Sequence, residues 1–171
     1  LRNCLIHGNY TDGSGGWAGG GGGMIRNWPG GPFVMESCTM ASNRPTGMHH
    51  QGGPLVAALN SIVYANFADA NILYANQPTV SWYTNVCLRS TNGLTGAQVT
   101  GLVTNAPAFA DFAGNDFRLS AASPCVNRGR NEPWMEGALD LGGRARIDRL
   151  FRVTDLGCYE HVARGALLGL R

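Results

Sequence analysis

The chain has 171 residues, enough for one domain or for one piece of a larger one. Apolar residues make up 44% and charged residues 14%, which excludes simple disorder, and no apolar run reaches the ~18 residues of a membrane helix. A net charge of +2 leaves no electrostatic footprint for nucleic acid, and the 25 glycines follow no Gly-X-Y period.

All 13 basic residues are Arg, and eight of them fall in residues 121–171 beside six acids. Arg suits fixed, forked contacts with carboxylates, so a local ion-pair network is expected in that last third. The chain opens at Leu1 with neither an initiator Met nor a signal peptide. The expectation is a processed product or a fragment of a longer protein.

In chain order, the first informative signal is an internal repeat. The pattern [Asn/Ser]-[Cys/Ser]-x-apolar-x-x-Asn occurs at Asn3–Asn9, Ser37–Asn43 and Asn60–Asn66. Its shorter core, apolar-x-x-Asn, recurs at Met24–Asn27 and Leu73–Asn76. The asparagines Asn9, Asn27, Asn43, Asn66 and Asn76 are thus spaced irregularly around 20 residues. Such spacing suits short strands that stack coil upon coil, with insertions leaving at the corners. Asn suits a corner because it tolerates the left-handed conformation, and stacked amides can bond one another. These five are therefore the candidate corner asparagines. The glycine-rich stretches 13–16 and 19–23 read as turns or excursions.

The stretch from Leu55 to Ala70 carries an approximate helical stripe with several alanines. Asn60, Asn66, the β-branched Ile62 and Val63, and the repeat itself favour strands there. Residues 78–90 alternate as strands do. From Pro107 the texture changes to short segments that wrap a surface: Asp116–Leu119, Ser123–Asn127, Asp140–Ile147 and Thr154–Glu160. The expected organisation is parallel coils over 1–106, a wrapping cap over 107–161 and a tail over 162–171.

The strings Asp116–Leu119, Ser123–Asn127, Asp140–Ile147 and Asp155–Glu160 resemble, in order, the C-terminal region of bacterial surface proteins of the choice-of-anchor Q type. The upstream repeats resemble degenerate polymorphic outer-membrane-protein repeats, with Gly22-Gly23-Met24 and the apolar-x-x-Asn sites as the points of likeness. The resemblance implies an all-β fold, a right-handed parallel β-helix with an irregular C-terminal cap. It also implies export and display on the bacterial cell surface, and rarely a defined reaction. Within such a cap, Asp140 and Asp155 are candidates to bond turn backbones and Arg144 and Arg146 to pair with them. The resemblance places Cys125 and Cys158 in the same cap, where an exported protein permits a disulfide, so this pair is the candidate bridge, with two buried free thiols as the alternative.

Signals for chemistry are weak. His49-His50 point to opposite faces of a strand and have no nearby ligand partner. Asp12-Gly13-Ser14-Gly15 lacks the alternating ligands of a calcium loop. The acids of residues 1–120 are isolated, without the carboxylate pair of a glycosidase, and no nucleophile elbow occurs. No cofactor or metal is expected. Trp17, Trp28, Trp82 and Tyr83 are candidates to stack on sugars, with Trp134 a further aromatic, although packing is the commoner fate of such rings. The expected function is a structural or adhesive surface element whose partners are further copies of itself, in a fibre, or cell-surface glycans. The alternative is the C-terminal portion of a polysaccharide-degrading enzyme with its site upstream.

Overall fold

The computed structural model describes residues 1–10, 32–44, 47–50, 56–66, 73–75, 81–91 and 97–162. Asn27, Asn76, Trp17, Trp28, the Asp12 loop and the tail beyond residue 162 lie outside the described residues.

Strands dominate. They are β1 (Leu5–His7), β2 (Phe33–Glu36), β3 (Thr39–Ala41), β4 (Met48–His50), β5 (Val56–Tyr64), β6 (Leu73–Ala75), β7 (Ser81–Leu88), β8 (Ala97–Val103), β9 (Phe109–Asp111) and β10 (Asp116–Leu119). A single 3₁₀ turn spans Pro133–Met135. The nine-residue β5 resolves the ambiguity over residues 56–64 in favour of a strand. Its β-branched centre and the cross-strand packing outweigh the helical preference of its alanines.

The main sheet runs β1-β3-β5-β7-β8, with β2 also beside β5, and every pairing in it is parallel. β4 and β6 form a separate parallel pair, and β9 with β10 an antiparallel one. This corrects the expected right-handed parallel β-helix: among the described residues no closed solenoid is found, only this open parallel sheet and two small pairs. The physical reason is that a repeated motif fixes which residues lie side by side in neighbouring strands. It does not dictate what the chain does between them, so it specifies register without specifying closure.

The register is carried by the repeat. Its first residue is left-handed each time, at Asn3 (φ 55°), Ser37 (φ 49°) and Asn60 (φ 49°), and the same line continues across the next two strands through Asn85 (φ 52°) and Gly101 (φ 64°). Its sixth residue is left-handed too, at Gly8, Ser42 and Ala65. Each such residue kinks the strand, so the sheet bends along a line that all rungs share. Gly and Asn meet this backbone demand at lower cost than other residues, whereas Ser37, Ser42 and Ala65 are held there by the surrounding structure. Gly101 meets a second one, because a Cβ there would lie 2.1 Å from the Asn85 side-chain oxygen.

Just past each first kink sits a thiol or hydroxyl. Cys4, Cys38 and Ser61 each donate to the carbonyl two residues back: Arg2, Glu36 and Leu59. The Cys38 and Ser61 side chains also accept a backbone N–H from the next rung, Cys4 N at 3.4 Å and Cys38 N at 3.2 Å. The repeat thus builds a polar stack beside the bend, where kinked strands would otherwise leave backbone groups unpaired.

One apolar cluster lies on the face of the sheet formed by Met35, Cys38, Met40, Ala58, Val63, Tyr83, Val86 and Leu88. A second joins the opposite face to the C-terminal segment: Ile62 and Cys87 from the sheet meet Leu119, Cys125 and Leu156. Burial of the larger of these side chains stabilises by about 1.5–3 kcal/mol each. Gly157 lets the two layers approach. It is left-handed (φ 90°), and a Cβ there would stand 2.5 Å from Thr39 Oγ1 and 2.9 Å from Ile62 Cδ1. Backbone bonds seal the contact: Gly157 N donates to Asn60 O at 2.8 Å and Cys158 N to Thr39 Oγ1 at 3.1 Å.

Candidate functional site

The densest polar chemistry among the described residues lies in the C-terminal segment. Asp140 is buried between two turns. Its Oδ1 accepts Arg144 N at 2.7 Å and its Oδ2 accepts Glu160 N at 2.6 Å. Asp155, also buried, accepts Asn127 N at 2.7 Å and His161 N. Both aspartates therefore bond turn backbones. Arg144 reaches the Glu160 carbonyl at 2.9 Å, rather than a carboxylate.

Arg146 is fully buried and pairs with Glu160 (3.1 Å), a residue the sequence reading did not single out. It also donates to Gly157 O and Thr154 Oγ1, both at 3.1 Å, while its Nε has no partner. Glu160 accepts in addition from Thr154 Oγ1 (2.7 Å) and Asp155 N (3.0 Å). Burial pushes the Glu160 carboxyl up to about 8, against the pull of Arg146, and burial raises the Asp155 carboxyl as well. A buried pair of this kind is weak evidence for net stability, but removing one partner is costly. Its members face one another and the backbone, so the group reads as the polar core of the segment.

Asn60 extends this core into the sheet. Its amide donates to Arg130 O and accepts Arg130 N, both at 2.8 Å. Asn3 Nδ2 donates to Leu139 O at 3.0 Å, and the Arg2 guanidinium lies 4.5 Å over the ring of Trp134.

The asparagines Asn9, Asn43 and Asn66 stand in register on successive rungs. Asn43 Oδ1 accepts both Asn9 N (3.1 Å) and Asn9 Nδ2 (2.8 Å). Asn43 Nδ2 donates to Asn66 Oδ1 (2.9 Å) and to Ile6 O (3.0 Å), and Asn66 Nδ2 donates to Met40 O (3.0 Å). They form one amide ladder, buried at Asn43 and Asn66.

All five cysteines are free thiols. Cys125 shares the buried cluster between the layers with Cys87, whereas the Cys158 N–H is held by Thr39 Oγ1. The bridge expected between Cys125 and Cys158 is thus not formed here. Trp82 is 43% exposed on the sheet, but Tyr83 is 1% exposed in the core, which closes its ring to a sugar. No group of His, Cys, Asp and Glu suited to a metal ion is found among the described residues. The side chains of His49 and His50 lie outside the described residues.

The surface feature with ligand-like chemistry is an open cleft of about 730 Å³ on the C-terminal segment. Arg118, Asn127, Arg144, Phe151, His161 and Val162 line it. No carboxylate lines it, although Arg118 is paired with Asp116 at its margin and holds that carboxyl below the usual range. The His161 ring meets Leu119 O through Nδ1 at 3.2 Å, which assigns the proton to Nδ1 and leaves Nε2 for another partner. Phe151 and Val162 are about half exposed and give the cleft apolar surface beside its cations. Sequence reading missed it because these residues come from five separated places in the chain.

No helix among the described residues is long and apolar enough to cross a membrane. No protein-family model, curated protein or solved structure matches this chain.

Proposed function

We propose that this chain is a structural and adhesive part of an exported bacterial surface protein. The observation that carries the reading is the stacking itself. Successive repeats place left-handed kinks, thiol or hydroxyl groups and asparagine amides on the same lines across the parallel sheet. These residues serve rigidity, because each bond fixes one rung against the next. The C-terminal segment closes one face of the sheet and carries the cationic cleft outward.

In this reading the cleft is where the protein meets a glycan, and an acidic one fits it best. Arg118 and Arg144 offer a carboxylate or sulfate the guanidinium N–H groups not already held by Asp116 and by the Glu160 carbonyl, and Phe151 offers apolar surface to a sugar ring. The test is affinity electrophoresis of the purified chain in gels containing polygalacturonate or, as control, neutral dextran. The reading expects retardation in the acidic gel only, lost in an Arg118→Ala/Arg144→Ala double variant. Equal mobility in both gels removes glycan adhesion at this cleft. Release of new reducing ends or unsaturated uronides from the acidic polymer would favour a polysaccharide-degrading protein instead.

A further inference from the structure

Cys87 and Cys125 approach from different layers. Cys87 is on β7 of the main sheet, and Cys125 is in the C-terminal segment between β10 and the 3₁₀ turn. Both are 0% exposed, both belong to the buried cluster that joins the layers, and Cys125 acts directly on the Cys87 thiol. Leu156 N donates to Cys125 O at 3.0 Å, and Cys87 Sγ also reaches Asn105 O at 3.5 Å, so both ends are anchored. We propose that Cys87 and Cys125 are a disulfide-forming pair that staples the C-terminal segment to the parallel sheet.

Cys38 also has a thiol neighbour, Cys4, but that pair links rungs within the sheet and not the two layers. Cys4 and Cys38 are side by side on adjacent rungs and serve the hydrogen-bonded stack at the bend. The Cys158 backbone N is held by Thr39 Oγ1, and its thiol is pushed up to about 12 by burial.

The oxidant is a small disulfide such as oxidised glutathione. One cysteine, as thiolate, attacks a glutathione sulfur. The glutathione S–S bond breaks, and the first glutathione leaves as thiolate and takes up a proton. The second cysteine thiolate then attacks the protein sulfur of the mixed disulfide and releases the second glutathione. Two cysteine thiols become one S–S bond, and two electrons and two protons end on two glutathione thiols. In the folded chain the contact with Cys125, together with burial, holds Cys87 strongly in the inert thiol form. The bond therefore forms before the segment docks fully, and docking then shields it from reductant.

The test refolds the full chain from the reduced, denatured state in a glutathione redox buffer. Remaining thiols are alkylated, and the soluble fraction is mapped by non-reducing peptide mass spectrometry. The expected product is a Cys87–Cys125 linked peptide, with reductant lowering Tm by roughly 10 °C in the wild type and not in Cys87→Ala. A Cys125–Cys158 linked peptide, or alkylation of both Cys87 and Cys125 in the soluble fraction, overturns the proposal. So does an equal effect of reductant on the wild type and Cys87→Ala. Because the chain is oxidised in vitro, the outcome does not depend on whether the protein is exported.

Discussion

At the scale of single residues, the buried Arg146–Glu160 pair shows how much chemistry the C-terminal segment holds internally. The surroundings of Glu160 are Arg146, the Thr154 hydroxyl, the Asp155 N–H and the Asp155 carboxylate. Its folded value is raised from 4.5 to about 8. Below pH 4.5 the group is protonated in both folded and unfolded chains, and its contribution is fully present. Between about 4.5 and 8 the unfolded chain ionises first, so stability falls as pH rises, and above 8 the loss levels off. The loss is on the order of a few kcal/mol. Asp155, also raised by burial, slopes the same way. A Glu160→Gln variant is expected to show a flatter Tm profile from pH 5 to pH 8 than the wild type, and equal slopes would contradict the assignment. The sequence pointed to Arg146 as a pairing residue but not to its partner. Asp140 and Asp155 are consumed by backbone N–H groups, and the longer arm of Glu160 reaches the guanidinium. String order alone does not distinguish these acids.

At the scale of elements, the seven-residue repeat was the most legible feature, because each position has a local physical task. Left-handed backbone at its first residue, a thiol or hydroxyl at the second and an amide at the seventh are written in the residue types, whereas the left-handed sixth residue (Gly8, Ser42, Ala65) falls on a position the pattern leaves open. The fourth rung, Asn85-Val86-Cys87-Leu88, was less legible, because Val86 lacks the polar group at the second position. Register then follows from stacking like on like. Asn43 sits at the centre of the amide ladder. Replacing it with Ala would leave the Ile6 carbonyl and the Asn9 amide without their partners. Asn43→Ala is expected to lower unfolding free energy by about 2–3 kcal/mol in urea titration. Because Asn43 and Asn66 bond each other, the double Ala variant should cost less than the sum of the singles. Strict additivity would show that the ladder does not act as a unit.

At the scale of the whole molecule, the repeat was misleading about closure. The parallel sheet stays open among the described residues, and its second face is covered by the C-terminal segment. That docking was poorly legible, because it rests on contacts of high sequence separation. Thr39 with Cys158, Asn60 with Gly157 and Arg130, and Cys87 with Cys125 join residues that no local pattern relates. These contacts make the central claim that sheet and C-terminal segment form one rigid scaffold. Native-state hydrogen exchange tests it most directly, by comparing sheet amides such as Ile62 with segment amides such as Leu156 and Gly157, all held by backbone carbonyls. The account predicts that they open together, with free energies within about 1 kcal/mol of one another. Segment amides that open about 3 kcal/mol or more below the sheet would contradict it, by showing that the segment comes away while the sheet stays folded.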